Sequence, residues 1–288
     1  MEADPADSLG PSSTGPVDIA AVQFAPHTDI DANLAALTAH VRAAAERGAR
    51  VVVAPEYSMF ALGRLDDRAR AAAQPLDGPF VSALAALAAD TGVHLVAGVV
   101  ETTAPADGRI HNTLVVLGPD GSLCARYRKV HLYDAFGQRE SEVVRPGPLD
   151  ETALFTVEGL TFGLQTCFDL RFPEGFRRLA AAGAEVLLLP AQWIPGPGKV
   201  DQWTTLLRAR AIENTVYVAA ADQCGPRGAG YSMIVDPAGR VLGELADEPG
   251  IVAARLEPEV LDRVRTSNPS LALRRFAVGA PVAGSVEG

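Results

Sequence analysis

Two apolar runs, VDIAAVQF at residues 17–24 and RVVVAPE at residues 50–56, flank a helical pattern and decide the fold class. Between them Leu34, Leu37 and Val41 recur at helical spacing, and Gly48 marks the point where the helix stops. A strand, a helix and a second strand in this order predict a βαβ unit. The chain is therefore expected to be an α/β protein.

The same alternation continues through the rest of the chain. The segment GPDG at residues 118–121 is a turn signal between two apolar runs, which predicts a hairpin and hence a mixed sheet. Further strands are predicted near residues 93–101, 111–118, 122–129, 160–166, 185–190, 215–222, 231–245 and 251–257. Further helices are predicted near residues 79–90, 176–182 and 200–213.

Many strands interspersed with helices, without a long linker or an internal repeat, predict a single domain of helix-covered sheets. Runs such as VVVAP (51–55) show little alternation of polar and apolar residues, which is typical of strands buried on both faces and compatible with two facing sheets. We place this domain at residues 17–275. Residues 1–16 are predicted to be a disordered tail, and for residues 276–288 both disorder and clasping of a partner subunit remain open.

Composition and charge exclude several classes of protein. The 288 residues are 48% hydrophobic and carry a formal charge of −10, which opposes nucleic-acid binding. No apolar run is long enough for a membrane helix, and three widely spaced cysteines favour a reducing compartment, so the cytoplasm is the expected location. Five scattered histidines without HExxH or CxxC spacing predict neither a metal nor another cofactor.

Three chemically capable residues stand where apolar strands give way to loops. Glu56 follows VVVAP, Lys129 follows ARYR, and Cys167 follows LTFGLQT. Sites in α/β proteins gather beyond the carboxyl ends of strands, so a carboxylate, an ammonium and a thiol are expected to meet in one crevice.

Together these groups suit nucleophilic attack on an amide or nitrile carbon. A thiol with an ordinary pKa near ~8.5 needs a base to take its proton, which Glu56 would supply. The ammonium of Lys129 and the backbone N–H of Phe168 would stabilise the oxyanion. The same carboxyl group would protonate the leaving amine and then activate the water that hydrolyses the thioester.

Each residue alone also has a structural interpretation. Cys167 could be a small buried hydrophobic residue, Glu56 a surface carboxylate, and Lys129 part of a solvated edge strand. His131 could pair with Cys167 or serve only in packing and hydrogen bonding. Cys124 and Cys224 are interpreted as structural.

Taken with their neighbours, these residues resemble the nitrilase superfamily of carbon–nitrogen hydrolases, whose members use a Glu-Lys-Cys triad. Three ordered motifs carry the resemblance: VVVAPEYSMF (51–60), YRKVHLYD (127–134) and GLQTCFDLRFPE (163–174). It continues through LLLPAQW (187–193) and RARAIENTVYV (208–218) and covers residues 17–275. The implied fold is a four-layer α-β-β-α sandwich, and the implied assembly is a homodimer or larger homo-oligomer.

The resemblance also implies roles for individual residues. Glu56 would be the general base, Lys129 the oxyanion-stabilising cation and Cys167 the nucleophile, and the family's second glutamate falls on Glu140 in preference to Glu142. Two carboxylates beside one lysine also keep its ammonium charged in a buried pocket. Substrate contacts are expected from Phe168, Gln192, Trp193 and Arg171. Packing is the alternative for Trp193, and for Arg171 a structural ion pair is the preferred interpretation over substrate contact.

The amino-acid sequences of these motifs are most similar to those of omega-amidases and deaminated-glutathione amidases. The resulting hypothesis is an amidase that releases ammonia from a terminal amide of a small carboxylate, with that small-molecule amide as its partner. An N-carbamoyl amidohydrolase or a nitrilase would use the same triad. A different class, a catalytically inactive binding protein on this fold, would show no faster labelling of Cys167 than of Cys124 and Cys224.

Overall fold

The computed structural model describes residues 15–103 and 108–279. Within them lie twelve strands, six α-helices and two 3₁₀ turns. The strands are β1 Val17–Gln23, β2 Val51–Val53, β3 His94–Thr102, β4 Ile110–Leu117, β5 Leu123–Arg128, β6 Leu154–Val157, β7 Leu160–Leu164, β8 Val186–Ala191, β9 Tyr217–Asp222, β10 Met233–Val235, β11 Val241–Glu244 and β12 Gly250–Leu256. The helices are α1 Ile30–Glu46, α2 Asp67–Ala72, α3 Pro79–Thr91, α4 Pro173–Ala181, α5 Lys199–Asn214 and α6 Pro258–Ser267, and the 3₁₀ turns are Glu140–Glu142 and Cys167–Arg171.

The strands form two six-stranded mixed sheets. The first has the order β12-β1-β2-β3-β4-β5, and the second has the order β11-β10-β9-β8-β7-β6. In the first sheet β1, β2 and β3 are parallel, as β7, β8 and β9 are in the second, and the outer strands pair antiparallel. The predicted hairpin is β4–β5, and the chain returns through β12 to pair with β1.

Three apolar layers hold the sheets and helices together. Ile19 and Leu188, one from each sheet, pack in the layer between the sheets. Their neighbours along the strands face outward: Ala20 packs with α1 and α3, and Leu187 packs with α4 and α5. Both faces of the central strands are therefore buried, which is why the sequence shows no alternation there. The predicted four-layer α-β-β-α sandwich in a single domain is confirmed.

The helices begin and end where local chemistry dictates. The side chain of Asp29 accepts a hydrogen bond from the backbone N–H of Ala32 at 3.0 Å and so caps α1. Pro79 opens α3, and Gly92, with φ of 67°, closes it in the left-handed conformation that glycine adopts without strain. These signals agree with the helices predicted from the sequence.

The structure adds β6, α2 and α6, which the sequence pattern did not predict. β6 is a four-residue edge strand with two buried positions, so it lacks the long apolar run of strands such as β3 and β8. Most of the predicted tails, residues 1–14 and 280–288, lie outside the described residues, and their roles stay predictions. In the described part of the chain, none of the helices combines the length and apolar character needed to span a membrane.

Candidate active site

Strand ends from both sheets bring the predicted catalytic residues to one pocket. Glu56 follows β2 and Lys129 follows β5 in the first sheet, whereas Cys167 follows β7 in the second. These three side chains and Glu140 line the same pocket. The pocket beyond these strand ends thus joins the groups that the sequence selected.

The ammonium of Lys129 lies between two carboxylates. Its Nζ donates to Oε1 of Glu56 at 2.9 Å and to Oε2 of Glu140 at 2.9 Å. No more than 6% of any of these three side chains is exposed. Glu140 is thus the second carboxylate at Lys129, whereas Glu142 points to solvent with 56% of its side chain exposed.

The two carboxylates set the protonation state of the lysine. Burial by itself lowers the pKa of Lys129, but the charges of Glu140 and Glu56 outweigh it and hold that pKa well above its ordinary value. The side chain is therefore an ammonium at neutral pH.

The thiol of Cys167 is neutral at rest. Burial raises its pKa most, and the carboxylate of Glu56 raises it further, whereas the charge of Lys129 opposes both. Its Sγ donates to the carbonyl oxygen of Gln192 at 3.5 Å. Because the thiolate is the nucleophile, a base must take the proton as Cys167 attacks.

Glu56 is held by donors on both carboxylate oxygens. Besides Lys129, the Nδ2 atom of Asn112 donates to Oε1 at 2.7 Å, and the backbone N–H of Gln192 donates to Oε2 at 2.7 Å. The same Nδ2 atom lies 3.1 Å from Oε1 of Glu140. One amide group therefore bridges the two carboxylates and fixes their separation.

Glu140 has its own supports. The hydroxyl of Tyr57 donates to its Oε1 at 2.7 Å, and the backbone N–H of Tyr133 donates to its Oε2 at 2.6 Å. The segment that carries Glu56 and Tyr57 passes close to β3, where a Cβ atom at Gly98 would lie 2.5 Å from the nitrogen of Tyr57. Only glycine allows this approach.

The nucleophile stands at a sharp turn after β7. Cys167 has φ of 46°, in the left-handed region, and begins a 3₁₀ turn. The buried carboxylate of Asp169 accepts hydrogen bonds from the backbone N–H of Thr166 at 3.0 Å and from the hydroxyl of Tyr127 at 2.8 Å. These contacts fix the turn against the strand that leads to Lys129.

His131 belongs to this support. Its Nδ1 lies 2.7 Å from Oδ1 of Asp169, and its ring stacks on Phe172 with centroids 3.8 Å apart. The geometry thus favours the packing and hydrogen-bonding role over pairing with Cys167.

The four residues predicted to contact the substrate lie in different surroundings. Gln192 lines the pocket. Phe168 is half-buried and packs edge-on against Tyr133 at 5.0 Å. Trp193 is buried behind the pocket wall, where it packs on Trp203.

The surroundings of Arg171 differ from those expected from the sequence. The structural ion pair preferred for it is not seen: within residues 15–103 and 108–279, Arg171 has no carboxylate partner. Its Nη2 donates to Oε1 of Gln202 at 2.7 Å, and its guanidinium lies 4.8 Å from the ring centre of Trp193. Its charge is thus left without a counterion.

Sequence reasoning missed Tyr57, Asn112 and Asp169. A usable signal existed for Asn112, since a polar side chain stands in a run of strand residues that are all buried. The described residues contain no group of three or more His, Cys, Asp or Glu side chains placed to hold a metal ion.

Comparison with known proteins identifies the family. The model of the family described as carbon-nitrogen hydrolase matches residues 18–266. A deaminated glutathione amidase of Escherichia coli O157:H7 is 39% identical over 261 residues, which cover 90% of this chain and 97% of that relative.

Solved structures of other proteins support the same family assignment. Nit3 of Saccharomyces cerevisiae, a member of branch 10 of the nitrilase superfamily, matches with a TM-score of 0.81 at 29% identity and covers 93% of this chain and 100% of its own. A mutant of the amidase from Nesterenkonia sp. AN1, which shows covalent addition of the acetamide moiety of fluoroacetamide at the active site cysteine, matches with a TM-score of 0.74 at 28% identity and covers 93% of this chain and 96% of its own.

The chain therefore belongs to the carbon–nitrogen hydrolase family, within the nitrilase superfamily. It is an enzyme that hydrolyses carbon–nitrogen bonds. The family resemblance read from the sequence is confirmed.

Proposed function

We propose that this enzyme is a thiol-dependent amidase that releases ammonia from the terminal amide of a small carboxylate through a thioester on Cys167. One observation carries the proposal: a buried ammonium, Lys129, is held 2.9 Å from each of two carboxylates in the pocket that contains the thiol. Base, cation and nucleophile are the groups that acyl transfer requires.

In the first step Glu56 takes the thiol proton while Sγ of Cys167 bonds to the amide carbon. The carbonyl π-bond breaks and its electron pair moves to the oxygen. An ammonium has three N–H donors, and Lys129 directs two of them to Glu56 and Glu140. The third is available to the oxyanion, together with the backbone N–H of Phe168.

In the second step the carbon–nitrogen bond breaks and Glu56 returns the proton to the leaving nitrogen, so ammonia departs. Water then gives its proton to Glu56 and attacks the thioester carbon. The carbon–sulfur bond breaks, the carboxylic acid leaves, and the proton returns to Cys167. Glu140 keeps Lys129 charged and in place throughout.

Two relatives support this chemistry. The mutant Nesterenkonia amidase shows covalent addition of the acetamide moiety of fluoroacetamide at its active site cysteine, and the Escherichia coli relative is named for an amidase activity. Arg171, which has no counterion among the described residues, would bind the carboxylate at the far end of the substrate. Cytoplasmic location and assembly into a homodimer or larger homo-oligomer stay predictions.

The test is ammonia release from a panel of small amides by the wild type and by Cys167→Ala. We expect the wild type to release ammonia and the variant to release none above background. Retention of activity in Cys167→Ala would refute the thiol mechanism. Carbon dioxide released with ammonia from N-carbamoyl compounds, or turnover of nitriles in preference to amides, would instead favour one of the two alternative activities.

A further inference from the structure

The backbone of Gln192, directly after β8, contacts both the base and the nucleophile. Its N–H donates to Oε2 of Glu56 at 2.7 Å, and its carbonyl oxygen accepts a hydrogen bond from Sγ of Cys167 at 3.5 Å. The orientation of this one residue therefore sets where the thiol lies relative to the carboxylate that takes its proton.

The direction of the Gln192 carbonyl depends on the next N–H along the chain. The carbonyl of Gln192 and the N–H of Trp193 belong to one peptide group. In a planar trans peptide the C=O and the N–H point in opposite directions, so a bond that fixes the N–H also fixes the carbonyl. The N–H of Trp193 donates to Oδ1 of Asp222 at 2.7 Å.

Asp222 is a buried carboxyl group that the catalytic steps do not use. It is the last residue of β9, and its side chain is fully buried. In the parallel pairing of β8 with β9 it lies opposite Ala191, the residue before Gln192. A carboxyl group in such a place is costly unless it is hydrogen-bonded, so its contacts indicate its role.

The Asp222 side chain accepts three backbone hydrogen bonds, of which one depends on it. Besides the N–H of Trp193, it accepts from the N–H of Gln223 at 2.9 Å and from that of Ala229 at 3.1 Å. The N–H of Gln223 also reaches the carbonyl oxygen of Ala191 at 3.1 Å. The N–H of Ala229 also reaches that of Trp193 at 2.9 Å. For the N–H of Trp193, Asp222 is the sole acceptor among the described residues.

We propose that Asp222 is a positioning residue for the nucleophile. Through the N–H of Trp193 it aims the carbonyl of Gln192 at Sγ of Cys167. Because the N–H of the same Gln192 holds Glu56, thiol and base keep one relative position before the attack. The inference rests on the proposed thiol mechanism and adds to it a residue that acts through the backbone.

The kinetic test uses the amide that the wild type hydrolyses fastest. Asp222→Ala removes the acceptor of the Trp193 N–H, and a nucleophile displaced from its base should lower kcat about 10²-fold. KM should stay unchanged, because the change affects alignment for the reaction and not binding of the amide. Asp222→Asn keeps one oxygen for that N–H and should recover part of the loss.

Ser232→Ala is the matched control. The Oγ atom of Ser232 accepts from the backbone N–H of Asp222 at 2.9 Å and donates to Oε1 of Gln23 at 2.7 Å. The variant therefore removes buried hydrogen bonds at the same strand end and leaves the Asp222 carboxyl group in place. It should unfold at a lower urea concentration than the wild type and keep the wild-type kcat.

A spectroscopic test is independent of turnover. The Raman band of an S–H group lies at lower wavenumber when the group donates a hydrogen bond, and the band of Cys167 is the one that is lost in Cys167→Ala. In Asp222→Ala this band should move to higher wavenumber, while the bands of Cys124 and Cys224 stay. In Asp222→Asn it should move less.

The outcomes separate the two proposals. If the wild type hydrolyses no amide of the panel, the proposed function is wrong, and the Raman band still decides the positioning role. If Asp222→Ala does not fold, both measurements are made on Asp222→Asn, for which smaller changes in the same direction are expected. An unmoved Cys167 band, a wild-type kcat, or an equal fall of kcat in Ser232→Ala would overturn the positioning role.

Discussion

Two charged clusters interact with Cys167, and they differ in how their charges are satisfied. In the first, Lys129 contacts Glu56 and Glu140, and further donors hold both carboxylates. In the second, Arg171 and Lys199 face aromatic rings. The first cluster is complete without a ligand, as a preorganised catalytic site should be. The second holds two cations that have no carboxylate partner within residues 15–103 and 108–279, and in that sense it is incomplete.

The largest effect should come from breaking the complete cluster. Lys129→Met removes the cation between two buried carboxylates, which should lower the free energy of unfolding by about 3–5 kcal/mol. It also removes an oxyanion donor, so kcat should fall at least ~10³-fold. Urea unfolding and ammonia release measure the two effects. If Lys129→Met unfolded at the same urea concentration as the wild type, the ammonium and the two carboxylates would not stabilise one another.

Glu140→Gln tests how that cluster controls protonation. Glu140 contributes most among the charges that raise the pKa of Lys129, so the amide should lower this pKa and the ammonium should deprotonate at lower pH. The alkaline limb of the pH–rate profile should therefore move to lower pH, and kcat should fall about 10²-fold.

The matched control is Glu140→Asp, which keeps the charge and should keep the position of the alkaline limb. A profile for Glu140→Gln with an unmoved alkaline limb would show that Lys129 does not govern activity at high pH.

Gly98→Ala tests the packing that places the complete cluster. The new Cβ would lie 2.5 Å from the backbone nitrogen of Tyr57, so the segment carrying Glu56 must shift, at an expected cost of about 1–3 kcal/mol of stability. Gly63→Ala is the control, since its Cβ meets nothing within 4 Å. Equal unfolding midpoints for the two variants would argue against the close approach.

The smallest effect on stability should come from the incomplete cluster. Lys199→Met removes a buried cation that has no carboxylate partner in the part of the chain that the structure describes, so the free energy of unfolding should change by less than about 1 kcal/mol, or rise. Urea unfolding alongside Lys129→Met makes the comparison direct. A loss as large as that of Lys129→Met would show that Lys199 is a structural charge.

The sequence predicted the complete cluster better than the incomplete one. Glu56, Lys129 and Cys167 stand at strand ends and in ordered motifs, so position along the chain is enough to select them. Asn112 is marked as a polar residue within a buried strand, but the sequence does not record which carboxylate its side chain reaches. That Arg171 has no carboxylate partner among the described residues depends on its neighbours in space, which the spacing of residues along the sequence does not record.

The elements of the fold also divide into those that the sequence predicts and those that it does not. Apolar runs and turn residues in the sequence predict the buried strands and capped helices. Examples are β1, α1 and β2. The edge strand β6 and the terminal helix α6 bury little, and their boundaries are set by the sheet and loops against which they lie.

The most direct test of the central claim is the mass of the acyl-enzyme. The wild type is mixed with glutaramate, quenched in acid during turnover, and analysed as intact protein and then as peptides. We predict one added acyl group, located on Cys167 and absent from Cys124 and Cys224. Turnover of glutaramate without any adduct on Cys167, or with the adduct on another residue, would contradict the account.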